Sequence, residues 1–321
     1  MEYGDKHILV LGAGASGIGA SWVLAQVGAH VVLNDYKPVT LPVDEEKRLV
    51  STGVDIITGR QDESLLDGVD RIVISPGISL DIPIVKAAQA RGIDVVSEVE
   101  VAYELSKSPI VAVTGTNGKT TTTTLLTKVL EGTGKPVRVG GNIGDSLSEV
   151  AYSMPADGFL VAELSSYQLE TIKHFRPIGA IMLNITPDHL ARHKTMENYI
   201  AAKERIFENQ LSTDFMVLNI DDPIVADMKH RAPSHILEIS QHQVVPNGAY
   251  YDKGQCYVTK DGKATPVIGS DDIHIPGSHN IENILTVVAL TYALGVPVET
   301  IHRIISEFHG VEHRLERVKT I

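Results

Sequence analysis

The run Ile110-Val111-Ala112-Val113-Thr114-Gly115-Thr116-Asn117-Gly118-Lys119-Thr120-Thr121 restricts the folds open to this chain more than any other stretch. An uninterrupted apolar strand enters a glycine turn, and a Lys and two Thr then open a helix. Such a turn aims backbone N–H groups and a helix N-terminus at one point, which suits a polyphosphate. Lys119 offers a positive charge to the outer phosphates and Thr120 a hydroxyl to Mg²⁺. The longer form of this motif has Gly six residues before the Lys, where this chain has Val113. What remains is the shorter Gly115-x-x-Gly118-Lys119-Thr120 form. Glycines that served only a turn would not call for Lys-Thr-Thr behind them.

Strand and helix signals alternate on both sides of that turn. Before it, residues 7–12, 30–34, 54–58, 71–75 and 94–96 read as strands, and 16–27, a stretch from 44, and 82–91 as helices. After it come a helix from Lys119, strands at 136–139, 158–164, 179–184 and 215–219, and helices at 279–294 and 298–308. Residues 250–259 and 263–267 read as a hairpin turning at Lys260-Asp261-Gly262. This β-α-β order predicts an α/β protein with two largely parallel sheets covered by helices. The boundary falls near residues 97–108, giving a Rossmann-like domain over 1–97, a P-loop-type ATPase domain over 98–309 and a connecting end over 310–321.

The first domain has its own glycine signature, Gly12-x-Gly14-x-x-Gly17, directly after a strand, and Asp35 closes the next strand. In a dinucleotide fold that carboxylate meets a ribose. The pattern encodes close backbone approach to a diphosphate, so NAD(P), a nucleotide sugar and simple packing glycines all remain open. Ser75-Pro76-Gly77 follows another strand and lies at the same sheet edge, where ligands collect.

Composition narrows the partners. A formal charge of −12 argues against nucleic acid or an anionic membrane surface. One cysteine, Cys256, excludes an internal disulfide and a thiolate metal cluster. With no basic-then-apolar leader and no window of 18 apolar residues, the expectation is a cytoplasmic protein of 321 residues, long enough for two domains.

Acids and bases cluster at strand ends of the second domain. Glu163 ends one apolar strand and Asp188-His189 follows the next, a reasonable Mg²⁺ or Mn²⁺ site, although a helix cap and a surface imidazole are the plainer readings. His189 and His193 are four apart, but Leu190 stands where a zinc protease needs its Glu. Lys203 falls within the apolar stripe of Met196, Tyr199, Ile200, Ile206 and Phe207. Either its stem is buried with the ammonium in water, or its pKa falls and the neutral amine can take up CO₂ as a carbamate.

Taken together, these motifs resemble the Mur ligases, ATP-dependent amide-forming enzymes of peptidoglycan precursor synthesis. The resemblance rests on Thr114–Thr121, Gly141-Asn142-Ile143-Gly144, Glu163-Leu164-Ser165-Ser166-Tyr167-Gln168-Leu169-Glu170, Asp188-His189, the helix bearing Lys203, Gly277–Asn283 and His313-Arg314, and it spans essentially the whole chain. The run Glu163–Glu170 is similar to that of the branch that adds D-glutamate, with UDP-N-acetylmuramoyl-L-alanine as the other substrate. The resemblance implies that Ser16, Asp35, Tyr36, Ser75 and Gly77 hold the UDP end of that substrate, and that Asn142, Ser165, Gln168 and His189 hold its muramoyl-alanine end. It implies Gly115, Thr116, Asn117, Gly118, Lys119, Thr120 and Thr121 for the ATP phosphates, Asn283 for adenine and Arg314 for phosphates. Two Mg²⁺ ions would be shared by Thr120, Glu163, His189 and a carbamylated Lys203. Lys119, Glu163, His189 and Lys203 are thereby the catalytic set, in a monomer.

Two departures from the family stand out. Ala191 occupies the place of a usual Asp in Asp188-His189-Leu190-Ala191-Arg192-His193. Family members also continue into a third domain that binds the incoming amino acid, whereas this sequence stops at Ile321. The expectation is a stretch that binds the UDP substrate without completing ligation alone. The competing expectations are another amide ligase of this family, an NAD(P)-dependent oxidoreductase, and a non-catalytic nucleotide switch.

Overall fold

A computed structural model describes residues 3–311. The chain forms two compact units, and a single cut in the sequence does not produce them. Among the described residues the first comprises 3–108, 140–156 and 164–175; the second comprises 109–139, 157–163 and 176–311.

In the first unit, β1 (His7–Leu11), β2 (His30–Asp35), β3 (Asp55–Thr58), β4 (Arg71–Ile74) and β5 (Asp94–Ser97) form a parallel sheet in the order β3-β2-β1-β4-β5. Successive side chains of β1 face opposite ways. Ile8 and Val10 pack with Ala20 and Leu24 of the helix Ala15–Gln26, and Leu9 and Leu11 with Ile84, Val85 and Ala88 of the helix Pro83–Ala90. Both faces of the sheet are therefore covered, which explains the unbroken apolar run. The strand order reverses at β1 and β4, so the turns at Gly12 and Ser75 open a crevice at the carboxyl edge.

Among the described residues a second sheet has nine strands, all in the second unit apart from the end of β7: β6 (Ile110–Thr114), β7 (Val137–Gly141), β8 (Phe159–Glu163), β9 (Gly179–Met182), β10 (Phe215–Asn219), β11 (His235–Ser240), β12 (Gly248–Asp252), β13 (Gln255–Lys260) and β14 (Lys263–Gly269). Their order is β14-β13-β12-β11-β10-β9-β6-β8-β7. β6 is buried at all five positions and pairs in parallel with β8 and β9, so three strand ends point to one edge. Helices Lys119–Glu131 and Ser278–Ala293 pack Leu125, Val129, Leu285 and Val288 into one core with Val111, Val113 and Ile181.

The expected α/β architecture is present, with two differences, one in its antiparallel part and one among the parallel strands. The hairpin expected over 250–267 is a three-stranded meander, because Lys253 and Gly254, at φ 49° and 84°, turn the chain between β12 and β13. Strand β11, which the sequence reading passed over, interrupts its apolar residues with Glu238 and pairs in parallel with β10 from Phe215 opposite His235 to Asn219 opposite Ile239.

Candidate functional site

The crevice of the first unit is shaped by four glycines that do different things. Gly12 has φ +100°, and a Cβ there would lie 2.8 Å from the Ser75 side chain. A Cβ on Gly17 would come within 1.8 Å of the Gly12 carbonyl oxygen. The fold itself requires these two. Gly14 and Gly77 are unlike them, since neither has a positive φ and a Cβ on either would meet nothing within 4 Å. Both line one cleft of about 480 Å³, together with Ser16, Ser75, Asn142 and Gln168. Space kept open beside a helix N-terminus suits a ligand whose phosphates approach the backbone. Gly77 and Ile78 continue into a cavity of about 690 Å³ lined also by Asp35, Tyr36, Lys37, Gln61 and Pro83.

Supporting bonds fix these walls. Asp35 accepts from the backbone N–H of Ala13 (3.0 Å) and of Lys37 (2.9 Å), tying β2 to the glycine turn. Gln168, 2% exposed, accepts from the N–H and hydroxyl of Ser165, both at 2.9 Å, in a capping box at the short helix Ser166–Leu169. On the Asn142 side, the buried Glu98 carboxylate accepts from the Ser146 hydroxyl (2.6 Å) and the Ser148 N–H (2.7 Å). Burial raises the Glu98 pKa. Gly19 makes room for this, because a Cβ there would lie 2.2 Å from the Ser146 oxygen.

The turn after β6 is organised by charge instead. Gly115 and Gly118 have φ +147° and +85°, and Gly118 caps the helix that Lys119 begins. The Lys119 ammonium folds back onto the carbonyl oxygens of Gly115 (3.0 Å) and Thr116 (2.8 Å). Lys203, on the helix Met196–Glu204 and 2% exposed, donates to the same Gly115 oxygen at 2.8 Å and to the Thr114 hydroxyl at 3.3 Å. Its head group is therefore inside the protein, which rules out the reading with the ammonium in water. Burial first, and then the Lys119 charge, lower its pKa to about 7, against an opposing pull from Asp188.

Around the turn, Asn184 accepts from the Asn117 N–H (2.8 Å) and Thr116 bonds the Tyr199 hydroxyl (3.0 Å). Asn283 is 3% exposed and packs under Gly118, where a Cβ would meet its Oδ1 at 2.5 Å. Glu163, 1% exposed, ends β8 in register with Val113 of β6. His189 is the left-handed N-cap (φ 53°) of the short helix Leu190–His193 and lies 3.4 Å from Asp188.

Thus Ser16, Asp35, Tyr36, Ser75, Gly77, Asn142, Ser165 and Gln168 fall in the first unit. Gly115, Thr116, Asn117, Gly118, Lys119, Thr120, Thr121, Glu163, His189, Lys203 and Asn283 fall in the second. Arg314, His313 and the connecting end from 312 onward lie outside the described residues. Sequence reasoning passed over Gln61, Lys37, Glu98 and Ser146; only Gln61 and Lys37, close behind strand ends, carried a signal that could have singled them out.

One α/β unit with an open glycine cleft and another with a cationic phosphate turn define a nucleotide-binding protein of the ATP-using ligase class. The chain belongs to the Mur ligase family: residues 6–97 match the Mur ligase MurD-like N-terminal domain and 113–291 the Mur ligase middle domain. It is 44% identical, over its whole length and 71% of the relative's, to the UDP-N-acetylmuramoylalanine--D-glutamate ligase of Thermoanaerobacter sp. (strain X514). The enzyme of the same name from Halalkalibacterium halodurans is 42% identical over 99% of this chain and 70% of its own length. Among solved structures, the UDP-N-acetylmuramate:L-alanyl-gamma-D-glutamyl-meso-diaminopimelate ligase from Neisseria meningitides shares the fold, with a TM-score of 0.66 at 22% identity over 96% of this chain and 100% of that one. Among the described residues, no helix is long and apolar enough to cross a membrane.

Proposed function

We propose that this chain carries the UDP-N-acetylmuramoyl-L-alanine and ATP sites of a ligase that joins D-glutamate to that substrate through an acyl phosphate. The observation that carries the reading is the convergence of Lys119 and Lys203 on one carbonyl at the phosphate turn, beside buried Glu163. Identity of 44% to a D-glutamate ligase supports the substrate. The two matched stretches support assigning 1–97 to the UDP sugar and 98–309 to ATP.

In the first unit, Ser16, Ser75, Gly77 and the space at Gly14 would take the diphosphate, Asp35 and Tyr36 the nucleoside, and Asn142, Gln168 and the Ser165 cap the sugar arm. In the second unit, the backbone from Gly115 to Thr121 with Lys119 would hold the ATP phosphates, and Asn283 would bear on the adenine.

A carboxylate is a poor electrophile and repels ATP. Lys119 offsets that repulsion, so the substrate carboxylate can attack the γ-phosphorus and ADP can leave. The amine of D-glutamate then adds to the acyl carbon, and phosphate departs as the amide forms. Among the described residues no three His, Cys, Asp or Glu gather into a metal cage. Magnesium held with ATP needs one or two carboxylates beside phosphate oxygens and water. Glu163, Thr120 and His189 fit that demand, and bound Mg²⁺ would neutralise phosphate charge. Lys203 suits a metal only after its neutral amine adds CO₂, forming an N–C bond and releasing a proton to give an anionic carbamate; a pKa near 7 supplies the neutral amine. We place the protein in the cytoplasm as a monomer.

Calorimetric titration of the 321-residue chain with UDP-N-acetylmuramoyl-L-alanine, NADH and NADPH tests the assignment. Saturable binding of the nucleotide sugar alone is expected. Binding of NADH or NADPH instead would overturn it in favour of an oxidoreductase.

A further inference from the structure

The cavity beyond Gly77 contains an amide whose orientation is forced. Asn34 is fully buried, and its Nδ2 lies 2.8 Å from the carbonyl oxygens of both Ile57 and Arg60. Carbonyls only accept, so the nitrogen of Asn34 must face them and its Oδ1 must face the other way. That Oδ1 is 3.0 Å from the Gln61 carboxamide, so Gln61 turns its nitrogen to Asn34. Gln61 is half-buried and lines the 690 Å³ cavity with apolar Ile78, Ile82 and Pro83 and the rim residue Tyr36. Its Oε1 and second N–H make no other hydrogen bond among the described residues.

A freely rotating amide flips to match either pyrimidine. Uracil presents a donor at N3 beside an acceptor at O4; cytosine presents an acceptor at N3 beside a donor at its amino group. The two edges have opposite polarity, so an amide fixed in one orientation matches one and opposes the other. We propose that Gln61, locked by Asn34, is the specificity-determining residue that reads the base edge of the nucleotide and selects uracil over cytosine. The choice of uracil rests on the UDP-sugar reading of this cleft; the one-way amide rests on the hydrogen-bond chain alone.

The test is calorimetric titration of the full chain with UDP and with CDP. The wild-type protein is expected to bind UDP about tenfold more tightly, one well-formed hydrogen bond's worth of discrimination. Gln61→Ala should weaken UDP toward the CDP value and leave CDP unchanged. Asn34→Ala frees the amide, so CDP should strengthen toward UDP, a gain that general damage to the site would not produce. Because Asn34 is buried, its variant can fail to fold; Gln61→Ala, at a half-buried position, then decides alone. If UDP binds the wild type and Gln61→Ala keeps the UDP/CDP ratio, this inference is wrong and the cleft reading stands. If the wild type binds neither nucleotide, the cleft reading itself fails and this inference with it.

Discussion

At the turn after β1 a ligand would meet backbone N–H groups and empty space; at the turn after β6 it would meet the Lys119 ammonium. Gly14 and Gly77 keep their cleft open with no side chain in the way, whereas Lys119 and Lys203 crowd one carbonyl oxygen. The contrast shows that glycine-turn motifs of similar appearance encode different physics. The first recognises shape and dipoles. The second concentrates positive charge within a chain of net charge −12, where only local groups can attract an anion.

The sharpest way to break this comparison is to fill the glycines. Gly17→Ala should destabilise the first unit by about 3 kcal/mol or more, since its Cβ has no room, while Gly14→Ala should leave the denaturant midpoint unchanged. Equal midpoints for the two variants would erase the distinction between fold glycines and ligand glycines.

Lys203 sharpens the charged half. Its folded pKa is about 7 against an ordinary 10.5, so between those values the unfolded chain holds a proton that the folded chain lacks. Stability should therefore rise with pH across that window and stay flat below it, by an amount on the order of a few kcal/mol. Urea unfolding of wild type and Lys203→Met in CO₂-free buffer checks this; a variant with the same slope as wild type would deny the buried amine its role.

Glu98 probes the first cleft from behind. Glu98→Ala releases Ser146 and Ser148 and should weaken UDP-N-acetylmuramoyl-L-alanine about tenfold, whereas Glu98→Gln, which keeps an accepting oxygen, should restore most of the affinity. Failure of the Gln variant to rescue would mean that ionisation, rather than the hydrogen-bond acceptor, matters. The smallest effect is salt. Raising ionic strength from low to physiological should weaken ATP a few-fold more than it weakens the nucleotide sugar, measured by titration at two salt concentrations.

Most of this was legible in the sequence because parallel α/β units announce themselves: buried strands such as Ile110–Thr114 read as apolar runs, and each glycine turn follows one directly. Lys203 stood out because a charge inside an apolar stripe needs an explanation. What could not be read depended on contacts remote in sequence. The capture of Ser146 by Glu98, 48 residues away, leaves no periodic trace, and neither does the pairing of Asn34 with Gln61, 27 residues apart. The Lys253-Gly254 turn was a local signal, hidden because tyrosines and valines on both sides make one long β-prone run. The four glycines near β1 look alike as letters. Only their surroundings separate Gly12 and Gly17 from Gly14 and Gly77.

The most direct test is a crossed titration in which UDP-N-acetylmuramoyl-L-alanine and ATP with Mg²⁺ are each measured against wild type, Gly14→Val and Lys119→Ala. Gly14→Val should weaken only the nucleotide sugar, and Lys119→Ala only ATP, each by about 10- to 100-fold. If Gly14→Val left nucleotide-sugar binding intact, or if Lys119→Ala left ATP binding intact, the assignment of one ligand to open space and the other to local charge would be contradicted.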